Sequence, residues 1–434
     1  MLFRSIICSG RRAVSAMTIL IVFILLFSFE FLWELLLTLL NIASVRRNRA
    51  VVPVRFRGAV PEETYRRSAE YTLAKSRFSI MVQAITSALT LTVVVSGLLG
   101  RFDLLLGGLS LHRYLHGVLY VLGAAGVSGL VSLPFAWHSQ FGIEQRFGFN
   151  RMTPALFLAD VIRSILVSVA LAVPVLLGLF LFMDTAGGLW WLYAAVFVTV
   201  LQLALTVLYP LVIAPLFNTF TPLPEGSLRE KIEDLARGLE FKTNGIFVMD
   251  SSRRSKHSNA YFTGIGKAKR IVLYDTLVNG FSEDEVVSVL AHEIGHEKMR
   301  HVVKRLAVST VLTFLMFRLL ALVLPYEPLY RAFGFAAPSY HALLVILALA
   351  SGPLTFAFTP LFSFWSRKHE YEADRFAAEA AGTPRHLTGA LLRLGTENLS
   401  NLTPHPLYSF YHYSHPTLAE RLAALESAGK GKAV

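Results

Sequence analysis

The chain has 434 residues, 54% of them hydrophobic and 16% charged, with a formal net charge of +12. A charged fraction well below the roughly one quarter of soluble domains marks an integral membrane protein, and the basic excess, gathered beside apolar runs, serves orientation and anionic headgroups rather than nucleic acid. The single cysteine, Cys8, excludes an intramolecular disulfide and a cysteine-built zinc cluster, so a metal site must use histidine and carboxylate.

In chain order, the basic MLFRSIICSGRRAVSA leads into an apolar run too long for a signal-peptide core, which ends in NIASVRRNR and reads as a retained transmembrane helix. Seven such runs, approximately 17–41, 79–99, 116–137, 155–183, 189–215, 306–325 and 341–365, are long enough to cross a bilayer of about 30 Å. No internal repeat or low-complexity segment interrupts them. Lys and Arg crowd the connections 42–78, 138–154 and 217–305 and the C-terminal tail, and are sparse in 100–115, 184–188 and 326–340. This pattern predicts a cytoplasmic basic side, with the N-terminus outside and the C-terminus inside. Arg4, Arg11 and Arg12 oppose it but are outweighed by the basic loop 42–78.

Residues 217–305 change period. SLREKIEDLARGLE predicts a helix capped by Ser227, and GIFVMD, AYFTG and RIVLYD predict short strands. FSEDEVVSVLAHEIGHEKMRHVVKRLAV predicts one helix, capped by Ser282, that runs directly into the sixth span. SFWSRKHEYEADRFAAEAAG predicts a helix after the seventh span, ended by Gly382 and Pro384.

Within the first of these long helices, His292 and His296 lie four apart, one turn along the same face, where they can share one metal ion. Glu293 is about 100° around the helix, placed to reach water at such an ion without ligating it. The competing view is an amphipathic helix with incidental histidines. Small or apolar neighbours (Ala291, Ile294, Gly295) favour a packed helix, where unpaired histidines would be costly. A hairpin of spans six and seven returns HEYEADR to the same membrane side. Glu370 and Asp374 share a face there, with Glu372 roughly 160° from each of them. That favours Glu370 as third ligand and Asp374 as the acceptor orienting a ligating histidine.

The His292-Glu293-x-x-His296 segment with SRKHEYEAD resembles the membrane-embedded zinc metalloproteases of the type I CaaX prenyl endopeptidase family. IEQRFGFNRMTP at 143–154, SKHSNAYFTG at 255–264 and YSHPTLAERL at 413–422 extend the likeness over nearly the whole chain. The resemblance implies seven helices around a water-filled chamber, a catalytic site on its cytoplasmic side, zinc on His292, His296 and Glu370, and Glu293 as general base. It also picks out Asn259 and His415. Asn259 can bond a substrate backbone, on a strand (with Ala260 and Tyr261) whose edge can pair with an extended peptide, or it can be a strand-start turn residue. His415 can hold the oxyanion or simply begin a helix, with His412 as a competing candidate. Arg421 is expected near the site, either as a substrate-binding group or paired with a carboxylate.

The expected architecture is an all-α polytopic membrane protein with a small α+β catalytic domain. It divides into five N-terminal helices in 1–216, the catalytic domain in 217–305, spans six and seven in 306–366, and a helical region bearing the third ligand in 367–434. The expected function is zinc-dependent endopeptidase cleavage near the cytoplasmic membrane face, removing residues after a prenylated cysteine. A quality-control zinc endopeptidase of membrane proteins, and a transporter or channel with a structural metal, are the alternatives. One Zn2+ per chain, a lipidated peptide or protein substrate and membrane lipids are the expected partners. Oligomeric state stays open, with a monomer compatible. GKGKAV carries no KDEL-type signal, which leaves bacterial inner membrane and eukaryotic endoplasmic reticulum or inner nuclear membrane open. Glu30, Glu34, Asp160, Arg163 and Gln202, in or near apolar spans, point to a hydrated interior. The sequons at Asn398 and Asn401 fall on the cytoplasmic side and are discounted.

Overall fold

The computed structural model describes residues 15–263 and 269–430, so Arg4, Cys8, Arg11, Arg12, Gly264 and the terminal residues 431–434 lie outside them. Among the described residues, seven helices are long and apolar enough to cross a membrane. α1 (Ala16–Asn48) is capped by Ser15, whose hydroxyl accepts from the Thr18 amide, and ends on Arg46 and Arg47, cations that suit a helix C-terminus. α2 (Glu62–Val95) opens with Glu62 and Glu63 at its positive end, and a short α3 (Leu98–Gly107) follows. α4 (Arg113–Trp137) contains Pro134, and just beyond it the ladder is wide-wound as a π-helix over His138–Glu144. α5 (Pro154–Thr185) starts on a proline whose missing amide costs nothing there, and α6 (Trp190–Leu208) completes the first five spans.

The small domain then adds β1 (Phe220–Pro222), α7 (Ser227–Gly238), β2 (Ile246–Met249), β3 (Ala260–Thr263), β4 (Arg270–Tyr274) and α8 (Asp275–Gly280). β1 runs antiparallel to β2, β2 parallel to β4, and β4 antiparallel to β3, in the order β1-β2-β4-β3, so β3 forms one edge. β1 was not expected: three residues including a proline carry no strand signal, and an edge position tolerates the missing amide. Ser227 does not cap α7. Gly226 holds that position, and the Ser227 hydroxyl bonds Glu283 instead.

α9 (Glu283–Lys298) begins in a reciprocal capping box between Ser282 and Glu285. The single helix expected from here into the sixth span is two. Arg300 adopts φ +58°, and α10 (His301–Val323) starts after it. α9 buries Leu290, Ala291 and Ile294, whereas α10 exposes Val303, Leu315 and Leu319 for lipid. One straight helix cannot do both, and the left-handed residue redirects the axis.

After α11 (Glu327–Ala332), the seventh span is also divided. α12 (Tyr340–Thr355) ends in a tight turn at Phe356–Phe358, and α13 (Thr359–Ala380) carries the chain to the small domain. α14 (Arg385–Glu397), α15 (Pro406–His412) and α16 (Leu418–Lys430) follow.

The largest group of buried apolar residues of the spans lies at one end: Phe23 of α1, Val94 of α2, Tyr120 of α4, Phe180 of α5, Ala194 of α6, Phe317 of α10 and Ala342 of α12, while a smaller group (Ile42, Val45, Leu73) joins α1 to α2. The end with the larger group lies away from the small domain. α3 and the turn after α11 close it, packed so tightly that a Cβ on Gly100 would run into the Gly334 carbonyl. A second core joins α7, α9 and α14 to one face of the sheet through Ile232, Leu273, Leu290 and Ala390. The polar residues of the spans find polar neighbours, as a membrane requires. Glu34 meets His412 at 3.2 Å, Asp160 pairs with Arg163 and Arg254, and Gln202 donates to Ser309; Glu30 instead packs against the Gly352 backbone.

Candidate active site

α9 and α13 build the site together. Gly295 lets them close: a Cβ there would stand 3.1 Å from Phe376 Cδ1 and 3.2 Å from Ala373 Cα. Across this contact Glu370 reaches both histidines, its Oε2 3.4 Å from His292 Nε2 and its Oε1 3.3 Å from His296 Nε2. The two Nε2 atoms are 3.2 Å apart. His292 Nδ1 lies 2.8 Å from Asp374 Oδ1, so the ring proton sits on Nδ1 and Nε2 offers a lone pair. Glu370 Oε2 is buried without a hydrogen bond. Lone pairs and a carboxylate meeting this way repel unless a cation joins them. A tetrahedral ion with metal–ligand distances of 2.0–2.1 Å sets its ligand atoms about 3.3 Å apart. The residues present fit that requirement.

Asp374 is 2% exposed and is gripped by both prongs of Arg421, at 2.8 and 2.6 Å. Arg421, expected either to bind substrate or to pair with a carboxylate, pairs with Asp374 through Nε and Nη2. Removing the Asp374 charge from water demands such a partner. Glu293, by contrast, is half-buried and makes no hydrogen bond or ion pair among the described residues. Burial lifts its pKa above the ordinary carboxylate value, against the opposing pull of His292 and His296.

His415 sits on the open side, 63% exposed, with Nε2 3.4 Å from Glu370 Oε1 and Nδ1 3.0 Å from the Ser414 hydroxyl. His412 is held away by Glu34. Asn259 is exposed at the head of β3, and its carboxamide oxygen accepts from the Ala260 amide at 2.8 Å. Ala260 is only 3% exposed, so its side chain belongs to the core, and the Tyr261 hydroxyl approaches Met249 Sδ. Asn398 accepts from His257 Nδ1, and Asn401 donates to Asn41.

Sequence reasoning missed His301, His369 and Glu372, which crowd behind His296. Glu372, set aside as facing away, does leave the Glu370 face, but it leaves it toward His301. The reach of the His-Glu-x-x-His helix to a further histidine five residues on was the available signal. A third histidine group, Asp103 with His116 and His341, lies at the opposite end. There Asp103 Oδ1 takes Nε2 contacts at 2.7 and 2.8 Å, ordinary hydrogen bonds that clamp α3, α4 and α12 together.

A seven-span protein whose two facing helices converge imidazole nitrogens and a carboxylate, beside an unpaired glutamate, defines an integral-membrane metallopeptidase. Known proteins agree with that class. Residues 41–219 match the model described as CAAX prenyl protease N-terminal, five membrane helices, and residues 222–428 match peptidase family M48. The CAAX prenyl protease 1 homolog of Oryza sativa subsp. japonica is 40% identical, covering 89% of this chain and 94% of its own. CAAX prenyl protease 1 of Saccharomyces cerevisiae is 38% identical over 86% and 88%. The crystal structure of S. mikatae Ste24p superposes with a TM-score of 0.87 at 35% identity, covering 95% of this chain and 99% of that one. The chain belongs to peptidase family M48, as a multi-pass membrane member with the CAAX prenyl protease N-terminal region.

Proposed function

We propose that His292, His296 and Glu370 hold one Zn2+ and that the chain hydrolyses peptide bonds at the cytoplasmic membrane face, removing the residues that follow a prenylated cysteine. The convergence of two imidazole nitrogens on an unpartnered carboxylate oxygen, beside the free Glu293, carries this reading. The names of the relatives, CAAX prenyl proteases, support the substrate class. The grouping of basic loops with the small domain supports the cytoplasmic side.

When bound, zinc lowers the pKa of water toward neutrality and polarises a scissile carbonyl. Glu293 takes the proton released by the attacking water on a carboxylate oxygen and returns it to the leaving amine nitrogen. His415, on the open side, donates to the carbonyl oxygen as it gains charge, its ring oriented by Ser414. Asp374, held by Arg421, keeps the proton of His292 on Nδ1.

The β3 edge supplies the peptide platform. The Asn259 carbonyl accepts from the Tyr274 amide, so Asn259, Tyr261 and Thr263 turn their backbone groups to β4. Ala260 and Phe262 turn theirs outward, where an extended peptide can add. Ala260 contributes backbone only, and Asn259 exchanges its contact with the Ala260 amide for one with the peptide. The sparse burial along the spans, with Val196, Val200, Leu203 and Leu208 of the fifth exposed, supports an internal water-filled chamber.

Purified chain given a farnesylated CaaX peptide tests this. Wild type cleaves it, and Glu293→Gln loses roughly 10^2–10^4-fold in rate, the scale of general-base catalysis, with zinc retained at one per chain. Zinc loss in that variant would make Glu293 a ligand. Equal cleavage of the peptide without its prenyl group would favour a quality-control endopeptidase, and zinc binding without any hydrolysis a transporter.

A further inference from the structure

His301 is fully buried and begins α10 directly after the left-handed Arg300. Its Nδ1 lies 2.9 Å from His296 Nδ1, and its Nε2 lies 3.0 Å from Glu372 Oε2. An ionised carboxylate only accepts, so His301 Nε2 carries the proton and His301 Nδ1 is a lone pair. That lone pair needs a donor, which puts the proton of His296 on its Nδ1. His296 Nε2 is then the lone pair facing Glu370 and His292. Each tautomer is set by its neighbour, starting from Glu372.

His369 stacks flat on His301, with ring centroids 3.9 Å apart and planes 9° from parallel, and Trp365 packs edge-on to His369. This geometry argues against a second metal in the trio. An imidazole binds a metal in its own ring plane, and two parallel rings at that separation do not share one. The stack instead holds His301 in a single orientation.

We infer that His301 and Glu372 are positioning residues for His296: a hydrogen-bonded relay that fixes its tautomer and orientation and thereby sets how tightly the metal is held. The inference rests on the proposed zinc site. His292 is oriented by a carboxylate directly, through Asp374, whereas His296 is oriented by a carboxylate acting through a neutral imidazole. The break between α9 and α10 makes the relay possible, because it turns His301 back toward the site.

The test measures zinc affinity of the full chain in detergent by competition with a chromophoric chelator, together with the visible spectrum of the Co2+-substituted protein. His301→Leu, of similar volume but without an acceptor, weakens affinity roughly 10–100-fold and shifts the Co2+ bands. His301→Asn, which keeps an acceptor near the position of Nδ1, stays close to wild type. Glu372→Leu, at a position 34% exposed, weakens affinity in the same direction and decides the matter if His301→Leu does not fold. Unchanged affinity and spectrum in the leucine variants would overturn the relay, as would a His301→Asn variant as weak as His301→Leu. His296→Ala separates the two levels. If it keeps the metal at full affinity, the zinc site itself is wrong; if it loses the metal while the leucine variants do not weaken, only the relay is wrong.

Discussion

Arg421 reaches the histidine pair through a carboxylate. Its side chain is 13% exposed and its fork is filled by Asp374, which in turn bonds His292. Removing one partner of such a pair strands the other charge in a dry interior, at a cost of about 3–5 kcal/mol. Arg421→Leu therefore lowers the thermal midpoint and the metal content together. Arg421→Lys falls between it and wild type, because an ammonium replaces the two-pronged grip with a point charge. Thermal unfolding and metal analysis in detergent check this. Wild-type stability and metal content with a raised KM would instead make Arg421 a substrate contact.

Among the elements, the break between α9 and α10 has the widest consequence. Arg300 takes a left-handed conformation that costs an L-residue about 1–2 kcal/mol, and it is exposed, so no side-chain packing recovers that cost. Arg300→Gly relieves the strain and holds or raises the thermal midpoint. Arg300→Val, branched at Cβ, lowers it and, by straightening the junction, draws His301 away from His296. If valine is as stable as glycine here, the turn is not a left-handed one. The periodicity of VLAHEIGHEKMRHVVKRL runs through this junction without interruption. Lys298 suits a helix C-terminus, but no Gly, Asn or Pro in 298–301 marks a stop, since the turn is imposed by two different surroundings acting on one apolar pattern.

At the scale of the molecule, the spans meet in a core at the end far from the small domain, while the catalytic helices meet at the other. The chemistry is thus joined to the membrane by α10 and α13, each continuing a span into the site. Chelation with 1,10-phenanthroline is expected to reduce hydrolysis to background, and Zn2+ to restore it, with the seven spans unchanged by circular dichroism. Retained hydrolysis in metal-free protein would refute a metallopeptidase mechanism of any kind.

Much of this was written locally. Seven apolar runs, three strands, the spacing of His292 and His296, and the shared face of Glu370 and Asp374 follow from periods of 3.6 and 2 residues, which neighbours along the chain set by themselves. The partners of buried charge did not follow. Arg421 and Asp374 are 47 residues apart and His301 and Glu372 are 71 apart, and no local pattern tells a buried acceptor which distant donor will reach it. The edge position of β3, the break between α9 and the sixth span, the division of the seventh span and the closed far end also belong to packing. The sequence by itself determined which side chains share a helix face; only the tertiary structure decided which faces meet, because that choice is made by burial across the whole chain.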